Sequence, residues 1–141
     1  MTELSLDGRN NNELELVRYV KPSYIKNGQI TDEVFQLRED RTPPEEYVSF
    51  YHSKSKIIGD KIEDVKSILT KKNFSIKKSC GFLLLNASLA SEEINITRDI
   101  VKFKECGYPH YGMYYLSADI VDITEAKTIL IHHSELHKLQ D

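Results

Sequence analysis

The chain has no tryptophan and only two cysteines, four prolines and six glycines in 141 residues. Cys80 and Cys106 are far apart and form no Cys-x-x-Cys pair, which excludes a disulfide framework or a thiolate zinc site and implies two reduced thiols. Long apolar runs are lacking too: the longest, residues 81–85, is closed by Asn86 and falls far short of the ~20 residues that span a bilayer. No membrane helix is expected. Residues 1–12 contain neither a basic nor an apolar segment, so no secretory signal is expected and the predicted location is cytoplasmic.

Motifs are equally sparse. There is no Gly-x-Gly-x-x-Gly, Walker loop, Gly-x-Ser-x-Gly elbow, EF-hand loop or His-Glu-x-x-His. No cofactor and no metal are expected. Net charge is -3, so the overall field repels phosphates and nucleic acid is not an expected partner. One local exception stands out, where Lys71, Lys72, Lys77 and Lys78 flank Phe74 and Ile76. Short lysine runs are normally solvated faces, and nucleic-acid affinity needs several phosphate contacts.

What is present is ordinary globular composition, 40% hydrophobic and 29% charged, in a length that suits one domain. The reading is a frayed, disordered tail over 1–12 followed by a single α+β domain over 13–141. Alternation from Leu14 to Tyr19 predicts a first strand that ends at Lys21-Pro22. Asn27-Gly28 predicts a tight turn. Residues 31–37 read as a short helix that turns Val34, Phe35 and Leu37 inward, and residues 39–46 as a charged loop stiffened by Pro43-Pro44. Residues 47–51 read as a strand whose position, edge or interior, is open.

Asp60 and Glu63 have capping-box spacing and predict a helix with Ile62, Val65, Ile68 and Leu69 on one face, ended by Asn73. Phe74 and Ile76 alternate as strands do, residues 81–89 read as the central strand, residues 94–103 as extended chain, and residues 113–120 as a last strand. A second capping-box spacing at Asp122 and Glu125 predicts a C-terminal helix to about Leu139, lined by Ala126, Ile129, Leu130, His133, Leu136 and His137. Helix and strand do not alternate regularly. The expected fold is therefore α+β, a four- or five-stranded antiparallel or mixed sheet with two main helices, the second at the C-terminus.

Among residues able to carry chemistry, His110 leads. It lies between Gly107 and Gly112, after Pro109, in a segment read as a rigid loop where a histidine can act as general acid or base. Tyr108, Tyr111, Tyr114 and Tyr115 crowd around it, and exposed tyrosines mark protein interfaces. Tyr108, His110, Tyr111 and Tyr114 are thus the candidate binding residues, with His110 also the candidate catalytic residue. His133 and His137, four apart on the predicted helix, face one way, but no third ligand is indicated and the helix macrodipole accounts for them.

The segments Arg18-Tyr19-Val20-Lys21-Pro22-Ser23, Asn27-Gly28-Gln29-Ile30 and Val34-Phe35-Gln36-Leu37, with Pro109-His110 later, resemble small uncharacterised bacterial proteins, some of them encoded near mobile-element or defence genes. The resemblance supplies no catalytic residues. With the tyrosine cluster it implies a protein-protein binding or accessory component of a bacterial defence or toxin-antitoxin system, acting on another protein or by self-association. The alternative is a small hydrolase or nuclease in which His110 works with a carboxylate or an arginine, Arg18 and Arg98 being the nearest guesses.

Overall fold

A computed structural model of the chain describes residues 13–38 and 42–139. The expectation for residues 1–12 lies outside them. The first strand, β1 (Glu15–Val20), alternates between two interiors, with Leu16 and Val20 in one and Val17 in the other. Proline ends it as expected, in a 3-10 turn at Pro22–Tyr24. A hairpin follows, β2 (Ile25–Lys26) and β3 (Gln29–Ile30), around Asn27 and Gly28 at φ 54° and 76°, the left-handed pair that the dipeptide predicts. The predicted helix at 31–37 is a single 3-10 turn, Asp32–Phe35, which still buries Val34 and Phe35.

The chain continues through β4 (Val48–Tyr51), α1 (Ile58–Lys71), β5 (Gly81–Asn86), α2 (Ala87–Ile94), β6 (Val101–Glu105), β7 (His110–Tyr115), α3 (Ile120–His132) and β8 (Ser134–Lys138). Among the described residues the main sheet has six antiparallel strands in the order β6-β7-β4-β1-β5-β8, beside the small β2-β3 pair. The α+β class and the antiparallel sheet are as expected. The sheet is larger, and there are three helices rather than two main ones.

Each departure has a physical cause. Residues 81–89 are not one strand, because the Asn86 side chain accepts from the Leu89 amide at 3.0 Å and caps α2, whose Ala87, Ala90 and Ile94 then reach the core. Nor is β5 central; it is penultimate, yet Gly81 to Leu85 are all buried because both its edges are paired and both its faces covered. The final helix stops at His132, not near Leu139. Residues 134–138 instead zip along β5, so that this apolar strand does not present an open edge.

Neither predicted capping box forms. α1 starts at Ile58 with no side-chain cap, and Asp60 serves in the first turn, where its charge suits the helix dipole. α3 is capped by Asp119, which accepts from Val121 and Asp122 amides at 2.8 and 3.3 Å. Residues 74–77 form no strand, and residues 94–100 hold the end of α2 and a turn rather than extended chain.

The sheet has unequal cover. α2, α3 and the Asp32–Phe35 turn fill one face with Phe35, Phe50, Leu83, Leu85, Met113 and Leu130. On the other face α1 sets Ile62, Val65 and Leu69 over Val17, Phe82 and Leu84, which belong to β1 and β5. Burying each such side chain stabilises by about 1.5–3 kcal/mol. Among the described residues no helix covers that face of β7 and β6.

Candidate functional site

β1 and β4 are neighbours in the sheet, but their register holds a single pair, Val17 with Tyr51. Beyond it, residues 18–20 of β1 pair only with β5, and residues 48–50 of β4 pair only with β7. The strands fork. Arg18 lies in the fork, where its Nε donates to the Val34 carbonyl at 2.8 Å and its Nη1 to the Ser49 carbonyl at 2.9 Å. Its guanidinium also sits 5.9 Å from the Phe50 ring centroid.

These bonds replace part of the ladder that the fork leaves open, since buried carbonyls need donors. Burial lowers the Arg18 pKa, while Glu45 and nearby tyrosines pull it back up. The side chain remains a cation, because arginine is not deprotonated in proteins. Nη2 has no hydrogen-bond partner among the described residues.

The fork opens into a cleft of about 370 Å³. Among the described residues its lining includes the cationic Arg18, Lys21, Arg38 and Lys72 and the carboxylate Glu45. Glu45 is already engaged, accepting from the Arg38 amide at 2.7 Å. Aromatic walls come from Tyr19, Tyr24, Tyr51 and Phe74. Lys72 Nζ donates to the Tyr51 hydroxyl at 3.3 Å, and Lys21 Nζ lies 4.6 Å from the Tyr24 ring centroid.

The end of α1 sets two of these groups. The Asn73 amide donates to Thr70 and the Phe74 amide to Leu69, both at 3.0 Å, with Asn73 at φ 61°. This is a Schellman closure, which brings Phe74 back over the last turn. It leaves Lys72 and Phe74 beside the cleft.

Ser49 joins the cleft to His110. Its Oγ is 3.2 Å from His110 Nε2, and the imidazole stacks on Tyr51 at 5.2 Å and 26° with Tyr47 on its other flank at 5.5 Å. Burial and the charge of Lys72 lower the His110 pKa, against a bond to the Cys106 backbone that raises it, so the neutral ring is favoured. His110 begins β7 and belongs to no loop; Cys106 to Pro109 form the turn before it.

The four sequence candidates divide. His110 and Tyr114 share one face of β7 with the Tyr47 ring between them, and a bond to Cys106 helps push the Tyr114 hydroxyl up to about 12. Tyr111 faces the opposite way and donates to Glu105 at 3.4 Å. Tyr108 lies in the turn, 2.6 Å from His52 Nδ1. His52 is itself held towards its neutral form by burial and by Lys61 and Lys54.

Among the described residues no carboxylate bonds His110, and the two guessed arginines separate. Arg18 reaches the same Ser49 through its carbonyl, whereas Arg98 pairs with Asp122 at the start of α3. His133 and His137 no longer share a helix: the first caps α3 and pairs with Glu93 at 2.9 Å, the second lies in β8. Among the described residues no three histidine, cysteine or carboxylate side chains gather as a metal site, and no helix is long and apolar enough to cross a membrane.

Ser49, Tyr47 and His52 were not legible as site residues, whereas Lys72 and Phe74 belong to the basic and aromatic stretch that the sequence set apart and read as a solvated face. Arg18 carried a signal, standing between Leu16 and Val20 in the inward register of an apolar strand. The chain matches no protein-family model, no curated protein and no solved structure, so its function is read from this geometry.

Proposed function

We propose that this protein is a binding component whose ligand carries a compact anionic group, held in the cleft where β1 and β4 fork. The observation that carries the reading is Arg18, a cation set into the sheet with two carbonyls as its hydrogen-bond partners among the described residues, in a cleft that Lys21, Arg38 and Lys72 also line. In a protein of net charge -3, that concentration of one sign is local. The volume suits a small molecule.

Thermal unfolding with added pyrophosphate, against chloride at equal ionic strength, tests it. Saturating anion raises the midpoint, since a ligand at a hundred times its dissociation constant adds about 2.7 kcal/mol. Lys72→Glu removes the shift. An unchanged midpoint, or an equal shift in that variant, overturns the reading.

A second reading has its own observation, the 3.2 Å contact of His110 Nε2 with Ser49 Oγ. A neutral imidazole beside a hydroxyl that lines an anion cleft suits a hydrolase in which His110 takes the Ser49 proton as the oxygen attacks a carboxylic or phosphate ester, the imidazolium passes that proton to the alcohol that leaves as its ester bond breaks, and water then cleaves the ester formed on Ser49. Turnover of such substrates, lost alike in Ser49→Ala and His110→Asn, favours this reading over binding alone.

A further inference from the structure

We infer that the anionic group bound in the fork is the phosphate of a mononucleotide, and that its base lies against Phe74 at the mouth of the cleft. This rests on the anion-binding reading above and adds the other half of the ligand. Phe74 is 43% exposed, a large apolar ring left at the rim of a cationic cleft. It is held there from two sides. The Schellman closure at Asn73 fixes its backbone, and Tyr19 meets its ring edge to face at 4.9 Å and 76°.

Tyr19 is fixed in turn, because its hydroxyl accepts from the Lys77 amide at 3.2 Å and its ring packs on Phe82 at 5.7 Å. A preordered aromatic surface beside a cluster of cations is the pairing that a flat base joined to a phosphate requires, since any base presents a π-face to stack. Ordering these rings in advance lowers the entropic cost of binding.

One unit fits better than a polymer. The cleft's roughly 370 Å³ lies within the range of small-ligand sites. A net charge of -3 opposes a long polyanion across the remaining surface.

Calorimetric titration of the intact protein with pyrophosphate, ribose 5-phosphate, 5′-AMP and a ten-residue oligothymidylate separates the outcomes. The expected result is that 5′-AMP binds at least about tenfold more tightly than ribose 5-phosphate. Phe74→Ala, folded by circular dichroism, then brings 5′-AMP down to the affinity of ribose 5-phosphate without changing the latter. Equal affinities, or a Phe74→Ala variant that retains the preference, overturn the base contact while pyrophosphate binding keeps the anion site. Failure of pyrophosphate itself removes the site and this inference with it. Tighter binding of the oligothymidylate than of 5′-AMP overturns the single-unit ligand in favour of single-stranded nucleic acid.

Discussion

The two halves of the sheet are built alike and covered differently. Around β1, β5 and β8 the strands pair without a gap, and β5 is buried from Gly81 to Leu85 between α1 on one side and α2 and α3 on the other. Around β7 and β6 only one face is packed by helices among the described residues; the other carries His110, Tyr114 and the lysines of β6, and β4 at the border adds Ser49 beside Tyr51, which still reaches the α1 cluster. Apolar side chains hold the first half together. In the second half, and at the fork where the halves meet, polar groups bond one another and the backbone. The candidate chemistry thus sits where helical cover stops.

The largest effect that would sharpen this contrast belongs to the covered half. Phe82 is fully buried beneath α1, so Phe82→Ala leaves a cavity and costs about 3–5 kcal/mol in urea unfolding. Tyr114→Ala on the bare face should cost far less. Equal losses would mean that the two halves are equally packed.

Next in size is the fork. Arg18→Met keeps much of the apolar stem but removes the donors to Val34 and Ser49, so two carbonyls lose their partners. Replacing a buried ion pair with apolar groups can be neutral, but here the acceptors stay behind, and the expected loss is about 1.5–3 kcal/mol. Pyrophosphate binding should vanish with it. A variant as stable as the parent would show that the guanidinium does not close the sheet.

Two glycines give a smaller, matched comparison. A Cβ on Gly81 would stand 2.7 Å from Leu136 Cδ1 and 3.2 Å from the His137 carbonyl oxygen, inside the covered half. On Gly112 it would stand 2.7 and 2.8 Å from Tyr47 ring atoms. Backbone cannot step aside, so Gly81→Ala should cost about 1–3 kcal/mol by overpacking. The Tyr47 ring is partly exposed and can swing towards solvent, so Gly112→Ala should cost less in stability but disturb its tilted contact with His110. A reversed order of midpoints would show that Tyr47 is locked.

How much of this was legible in the sequence follows the same division. Periodic apolar residues placed α1 and the inner face of α3, and Asn27-Gly28 placed its hairpin, because burial and backbone sterics act locally. The missed α2 depended on one side chain, Asn86, turning a buried strand directly into a helix. β8 read as helix because Leu136 and His137 continue a helical stripe; pairing with β5, a long-range term, decided otherwise. At the site, His110 could be singled out from its neighbours in sequence. Its partner Ser49 could not, since 61 residues separate them and only the register of β4 with β7 joins them.

The smallest expected effect is the pH response of the bare half. His52 and His110 both have folded pKa values below the ordinary 6.5, each chiefly through burial and then through nearby lysines. The unfolded chain therefore binds more protons than the folded one just below that value. Their contribution is complete above about pH 6.5 and is lost as pH falls through 6.5 towards the folded values. Asp122 acts in a separate window, because Ser117 and Arg98 lower its pKa from 3.8 and its contribution is lost only at more acid pH. Urea midpoints measured from about pH 7.5 to 5.5 should decline modestly, since both rings are partly exposed. His52→Asn with His110→Asn should flatten that decline and leave the acid limb governed by Asp122 in place. A double variant with the parent's slope would place the proton uptake on other groups, and the bare face would then lose its distinct response to pH.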